Sequence, residues 1–441
     1  MVKFAQLFLS LTILITLHEF GHFYFAKRFK CRVDKFYLFF DFLFPFAGLL
    51  NFSLFKKKIG DTEYGLGWFP LGGYVQIAGM VDEQMDKETL EKEPEPWEFR
   101  AKPAYQRFLV MIGGILVNFI LGIFIYWMIL FVWGKETTPA SQLKYGIECD
   151  STALDMGLKN GDNIISIDNQ PVNSITRIPI TIIMNKAKSI QIDRAGQKMD
   201  IPVTDNDISL ILKRLKKSHF IFPRTLVEVD SVIEGSYAKN SGLVRGDMVI
   251  GVNGKLTPFY DEFHSEVVLH KGKEVELTVV RNSDTVKLNS KVSLEGSLGF
   301  YPNRIKYIPI ETTNYGLGAA FVQGFKDGME ALSMNIKQFV VIFTVKDAHK
   351  SVGGFYSMYK AMPSKWDWHD FWSFTAFLSL VLAFMNFLPI PMLDGGYILF
   401  IIIEMISRRK LPEKVVYYAN YVGLVFILGL MIYANTDWLR D

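Results

Sequence analysis

Cysteine and histidine are scarce in this 441-residue chain, which has two cysteines, Cys31 and Cys149, and seven histidines. Two distant thiols with no CxxC pattern exclude a disulfide framework and a thiolate metal site. A surplus of one charge is also lacking. The 48 Lys and Arg residues are nearly balanced by 45 Asp and Glu, and the net +3 is too small to hold a polyanion, so nucleic acid is not expected as a partner. There is no phosphate-binding loop and no Ser/His/Asp arrangement. What the chain has in quantity is apolar surface. Half of its residues are hydrophobic, yet 21% are charged. That mixture is too greasy for an ordinary soluble domain and too charged for a bare membrane bundle. The length allows two to four domains, so membrane spans combined with soluble modules fit best.

Four stretches, near 4–26, 107–133, 371–393 and 415–434, each supply the roughly 20 apolar residues that a bilayer requires. The first reads as a retained helix, because no small-x-small cleavage site precedes its histidines. Basic residues follow the first span (Lys27, Arg28, Lys30, Arg32, Lys35), precede the second (Arg100, Lys102, Arg107) and follow the third (Arg408, Arg409, Lys410, Lys414). Those ends are expected in the cytoplasm, which leaves the N-terminus, the 135–370 segment and the C-terminus outside. The apolar stretch 36–55 contains Asp41, Pro45, Gly48 and Asn51 and makes a poor straight helix. It is expected to enter the bilayer and return, or to lie at the interface, with Lys56–Lys58 as an interfacial anchor.

The outward segment repeats itself. Residues 151–172 match 236–257, pairing Gly157 with Gly242, Gly161 with Gly246, Asp162 with Asp247 and Asp168 with Asn253. Two copies of one small β-rich module are the simple explanation. Residues 316–345 follow with helical spacing and suggest a membrane-surface helix leading to the third span, or a packing helix of the soluble part.

The chemistry-bearing motif is LHEFGH, within an apolar run where a charge costs at least ~3 kcal/mol. It is an HExxH. On a helix, His18 and His22 lie one turn apart on one face and can share a metal ion, while Glu19 beside them can take a proton from a water. A hydrolytic zinc site has three protein ligands and an open position. Asp394, in NFLPIPMLDGGYILF, is the leading third ligand. Pro389 and Pro391 break the helix there, and the freed backbone must face protein or water. His18 and Asp394 can meet only if the first and third spans are parallel, which argues against a crossing by 36–55. WFPLGGYVQIAGM (68–80) has hairpin composition, and a β-edge near the metal would suit an unwound substrate. His219, His264, His270, His349 and His369 lack ligand spacing and read as surface or packing residues.

HExxH in the first span, PLGGYV, the outward PDZ-like repeats and NxxPxPxLDG together resemble the site-2 protease family, and within it the bacterial type with tandem PDZ domains that regulates sigma-E. The resemblance spans nearly the whole chain. It implies a zinc metalloendopeptidase that cuts transmembrane segments, with His18, His22 and Asp394 holding one Zn2+ and Glu19 as catalytic base. Asn386 matches an asparagine thought to bond substrate or the developing oxyanion. Gly72, Gly73 and Tyr74 of a membrane-reentrant β-loop, Asn118 of the second span and Pro389 are implied substrate contacts. Gly114 stands where family members often have proline, and Gly353-Gly354 where many have Gly-Pro. SLGF (297–300) is similar to a carboxylate-binding loop but lies at the end of the second copy.

The expectation is therefore an α-helical membrane protein with four spans, a reentrant β-loop and two small α+β PDZ-like domains. Its expected parts are a membrane core at 1–134 and 371–441, PDZ-like domains at 135–220 and 221–305, and an interfacial helical segment at 306–370. It would sit in a bacterial inner membrane with the active site toward the cytoplasm. Its partners would be lipid and single-span proteins such as anti-sigma factors after a first cut, or remnant signal peptides. The PDZ-like domains would bind peptides or exclude bulky substrates. The competing reading is a membrane-anchored PDZ scaffold or chaperone with a vestigial metal site.

Overall fold

A computed structural model describes residues 1–42, 50–69, 72–80, 93–214 and 219–436. Parts of three sequence expectations, at 43–49, at Pro70 and Leu71 and at 437–441, lie outside the described residues. The chain forms two compact units. One comprises Met1–Gly134, Asn314–Val340 and the chain from Lys350 onward, and the other comprises Lys135–Thr313 with Val341–His349.

Among the described residues, the first unit contains four helices that are long and apolar enough to cross a membrane. They are α1 (Val2–Arg28), α2 (Ala104–Trp133), α4 (Trp368–Phe387) and α6 (Glu413–Asn435). Between them lie α3 (Leu317–Thr344) and the shorter α5 (Asp394–Ser407). Helices α1 and α4 run parallel: Gln6 Nε2 donates to the Pro363 carbonyl, and the Thr375 and Ser10 hydroxyls bond at 3.0 Å. Farther along, Asn386 meets His18. Helix α2 runs antiparallel to both, and glycine lets its backbone touch theirs. A Cβ on Gly21 would stand 2.3 Å from the Gly113 carbonyl oxygen, and one on Gly113 would stand 2.7 Å from that of Gly21. Small residues take this role because lipid supplies no hydrophobic force between helices, leaving close packing to hold them.

Four strands, β1 (Val33–Leu38), β2 (Ser53–Ile59), β3 (Thr62–Gly67) and β4 (Tyr74–Ile77), form one sheet in the order β2-β3-β1-β4. The tight hairpin is β2–β3, turning at Gly60 with φ 61° and carrying exposed Lys56, Lys57 and Lys58. Among the described residues of 68–80, Phe69 and the strand that follows both pair with the chain around β1. That strand, β4, pairs antiparallel with the distant β1, Phe36 opposite Val75 and Tyr37 opposite Tyr74. The reason is steric. Gly72 and Gly73 are not turn glycines with positive φ; they clear space. A Cβ on Gly72 would meet the Phe40 ring at 2.5 Å, and one on Gly73 would meet the Tyr37 carbonyl oxygen at 2.8 Å. As the last strand in the order, β4 is an edge.

Helix α3 is packed helix on helix rather than only laid along a surface. Gly324 and Gly328 sit against Trp127 and Ile123 of α2, and the Phe339 ring lies 5.7 Å from that of Phe384 in α4.

The second unit has two hydrophobic cores. One gathers Ile147, Leu158, Ile164, Ile182, Ile190 and their neighbours; the other gathers Val227, Leu243, Val249, Val267, Leu277 and theirs. The sheets beside them are consistent with PDZ-like domains. The first joins Gln197–Pro202, Ser189–Arg194, Asn163–Ile167 and Gln170–Pro171. In the second, Asp284–Lys291, Glu274–Arg281 and Met248–Val252 follow the corresponding order, Lys255–Leu256 pairs with Met248–Val252 as Gln170–Pro171 does with Asn163–Ile167, and Val227–Val232 and Phe300–Pro302 extend the sheet.

The repeated residues build one clasp twice. Arg194 bonds both Asp162 oxygens and the Gly157 carbonyl; Arg281 does the same with Asp247 and Gly242. Each aspartate also accepts a backbone N–H three residues upstream, from Lys159 and Val244. The SLGF segment divides between a loop and the strand Phe300–Pro302.

Candidate metal centre

His18 and His22 occupy the buried face of α1, one turn apart. The His22 ring is oriented by its Nδ1, 2.9 Å from the Val110 carbonyl oxygen, so Nδ1 carries the proton and Nε2 keeps its lone pair. His18 is flanked on two sides. Asn118, fully buried in α2, places its amide 3.3 Å from His18 Nδ1, and Asn386 of α4 places its amide 3.3 Å from His18 Nε2. The Asn118 Oδ1 has no partner among the described residues. A half-turn of that amide brings the oxygen to Nδ1, where it accepts the ring proton and leaves Nε2 free.

Asp394 arrives from the far end of the chain. Helix α4 ends at Phe387, since the prolines at 389 and 391 cannot continue it. The chain turns through Met392, whose φ is 81°, and restarts as α5 at Asp394. Backbone crowds this turn. A Cβ on Gly395 would meet the Leu388 carbonyl oxygen at 2.1 Å, and one on Gly396 that of Ile390 at 2.5 Å. Only glycine fits either position. Asn420 of α6 fastens the turn from the other side: its Oδ1 accepts the Met392 N–H at 3.2 Å, and its amide reaches the Tyr397 hydroxyl at 2.6 Å. Pro389 itself is exposed.

Three atoms converge as a result. His18 Nε2 and Asp394 Oδ2 are 3.2 Å apart, His22 Nε2 and Asp394 Oδ2 3.3 Å, and the two Nε2 atoms 3.3 Å. The triangle is nearly equilateral. Ligands ~2.0–2.1 Å from a tetrahedral ion stand ~3.3 Å from one another, so the donor set fits zinc in both chemistry and spacing. Two further observations support the fit. Asp394 Oδ2 is buried and accepts no hydrogen bond of normal geometry, and Gly114 of α2 clears the space at the rings. A Cβ on Gly114 would stand 2.4 Å from His22 Nε2 and 2.7 Å from His18 Cε1.

The Glu19 carboxylate lies beside this triangle, close to the Val75 backbone. Edge strand β4 therefore reaches the centre through its backbone. The other residues implied for substrate sit farther off in the sheet: Tyr74 donates to Asp41 at 2.8 Å and stacks on Tyr37, while Gly72 faces Phe40. Gly73 lies against Ile15 of α1. A second trio, Asp367, His369 and Asp370, also has close ligand atoms but is open to solvent. Asp367 is engaged there as the cap of α4, accepting the Asp370 N–H at 2.9 Å.

Sequence reasoning missed Asn420 and left Gly114 as a departure from the family pattern. A lone asparagine in the apolar run YYANYVGLVF was the available signal for Asn420, because polar groups within a membrane segment mark a site or a partner.

A His-His-Asp triangle beside a glutamate, set among membrane-length helices, defines the class as a membrane metallohydrolase. The chain belongs to peptidase family M50, whose model matches residues 6–430. It is similar to a protein from Treponema pallidum named a putative zinc metalloprotease, 25% identical with 98% of each chain covered. It is also similar to the regulator of sigma-E protease RseP from Escherichia coli, 26% identical with 97% of each chain covered.

Proposed function

We propose that this protein is an intramembrane zinc endopeptidase that cleaves transmembrane segments of single-span proteins, such as anti-sigma factors after a first cut or remnant signal peptides. The observation that carries this is the near-equilateral triangle of His18 Nε2, His22 Nε2 and Asp394 Oδ2 at zinc-ligand spacing. His18, His22 and Asp394 would hold zinc, which would supply Lewis acidity to a water and to the scissile carbonyl. Glu19 takes the proton of the attacking water and hands it to the leaving amine. Asn386, next to His18, donates its amide to the developing oxyanion. Asn118 is enclosed against His18, so we assign it to positioning that ring rather than to touching substrate.

A membrane helix must unwind before its carbonyls can be attacked. Edge strand β4 offers the unwound segment a row of backbone partners, and Gly72 and Gly73 lead into it. The segment containing 36–55 and this sheet is read as entering the membrane without crossing it, which agrees with the parallel α1 and α4. Basic flanks support the reading that the metal end of the spans faces the cytoplasmic side of a bacterial inner membrane, with the N-terminus, the repeats and the C-terminus outside. Residues 135–220 and 221–305 are taken as two PDZ-like domains that filter or bind substrates. A membrane core at 1–134 and 371–441 and a linking helical segment at 306–370 complete the organisation.

The test is Glu19→Gln in the full chain, assayed on a model single-span substrate. It is expected to retain one zinc per chain and lose cleavage. Full cleavage by this variant would refute the assignment.

A further inference from the structure

The first unit has a cavity of about 90 Å³ away from the metal centre. It lies where α2 begins, α5 ends and α6 begins. Arg100, Arg107, Lys410 and Glu404 form its polar side, and Phe99, Phe400, Ile401 and Val416 are among its apolar lining. Glu404 is ten residues beyond Asp394, which along a helix is ~15 Å, so this is a separate site.

Among the described residues, two of its cations are paired and the third is not paired with a carboxylate. Arg107 pairs with Glu404 at 2.6 Å and Arg100 with Glu98 at 2.6 Å. Among the described residues Lys410 has no carboxylate partner; it reaches the Arg100 carbonyl, at 3.4 Å. Arg107 lies in the first turn of α2 and Val416 in that of α6, so two helix N-termini add positive partial charge. The Arg100 side chain is 8% exposed and that of Arg107 11%, so the cations are set into the fold.

We propose that this cavity binds the phosphate headgroup of an anionic phospholipid, with the lipid's chain along the apolar wall of α5 and α6. The match is in charge and in shape. A cationic corner beside an apolar wall, on the side of the spans richest in Lys and Arg, complements a phosphodiester attached to hydrocarbon. A lipid there would tie α2 to α5, the helices that carry Gly114 and Asp394. The inference rests on the membrane-embedded reading above, but not on the zinc chemistry.

The full chain in detergent is to be titrated with phosphatidylglycerol, phosphatidylcholine or inorganic phosphate, and bound molecules counted by native mass spectrometry. One phosphatidylglycerol should be retained in preference to phosphatidylcholine. Lys410→Ala should weaken it about five-fold and Lys410→Glu about twenty-five-fold, from one and two units of charge near a lipid phosphate. Lys410 is exposed and outside the metal centre, so unchanged zinc content and cleavage identify a folded variant. Equal retention of both lipids, or phosphatidylglycerol binding untouched in Lys410→Glu, would overturn the proposal. So would inorganic phosphate binding as tightly as the lipid, since the chain would then contribute nothing. Loss of lipid binding preference with zinc and cleavage intact sinks only the lipid site.

Discussion

Gly114→Ala adds one methyl group at the most crowded point of the metal centre. In the structure that carbon falls 2.4 Å from His22 Nε2, 2.7 Å from His18 Cε1 and 2.8 Å from His18 Nδ1. Ordinary contact needs ~3.5 Å, so the rings or helix α2 must move by about 1 Å. The rings have little room to retreat. His22 is held by the Val110 carbonyl, and His18 lies between Asn118 and Asn386. Helix α2 cannot withdraw freely either, because Gly113 touches Gly21 one residue away. Metal sites tolerate only a few tenths of an ångström in ligand position. The expected result is a 10–100-fold or greater loss of zinc affinity, about 1.4–2.7 kcal/mol, despite alanine's better helix propensity. The assay is competition with a chromogenic chelator on purified full chain, with thermal melting to confirm folding. Wild-type zinc affinity in a folded Gly114→Ala protein would refute the close approach of α2 to the histidines.

Asn420→Leu removes the acceptor of the Met392 N–H and the partner of Tyr397, so the turn that aims Asp394 loosens; chelator competition should show a ~10-fold or larger loss of zinc affinity, and an unchanged value would show that α6 has no part in the centre. Arg281→Leu strands a fully buried Asp247 carboxylate, at a cost of about 3 kcal/mol, the low end for a buried pair because Arg281 is a third exposed. The melting temperature of the second repeat should fall by on the order of 10 °C, and Asp247→Leu on the same background should recover part of it. Glu228 is held below the ordinary carboxylate range by hydrogen bonds from Lys306 and Tyr307. A depressed carboxylate stabilises the fold above its unfolded pKa, and that contribution is lost as pH falls through the folded value. Melting of wild type and Glu228→Gln should therefore differ at pH 6 and converge as pH drops below ~4, whereas a constant gap would contradict the linkage.

What the sequence made legible was local pattern. HExxH lies within one helical turn, and LDGG beside two prolines marks a broken helix, so the three converging atoms were all nameable. The parallel course of α1 and α4 followed from requiring His18 and Asp394 to meet. The repeat was visible because its glycines and aspartates recur at a fixed offset. Its arginines were not: Arg194 and Arg281 lie 32 and 34 residues beyond their aspartates, an offset that a constant-register comparison passes over. Glycine misled twice for one reason. Gly72 and Gly73 resemble turn residues, and Gly114 resembles a lapse from a motif, yet each is small because a specific neighbour occupies the space a side chain would fill. Such clearance depends on contacts between distant segments, and no window along the chain displays it. Asn420 was hidden likewise, since its partners Met392 and Tyr397 belong to another helix and the turn before it.

The fastening of the Asp394 turn by Asn420 bears on how the protein is made. His18 is synthesised 376 residues before Asp394 and 402 residues before the asparagine that aims it, from positions 18, 394 and 420. A nascent chain carries two histidines and a glutamate in the bilayer for most of its synthesis without the third donor. The triangle of donors is thus completed, and its turn fastened, only after Asn420 has been made.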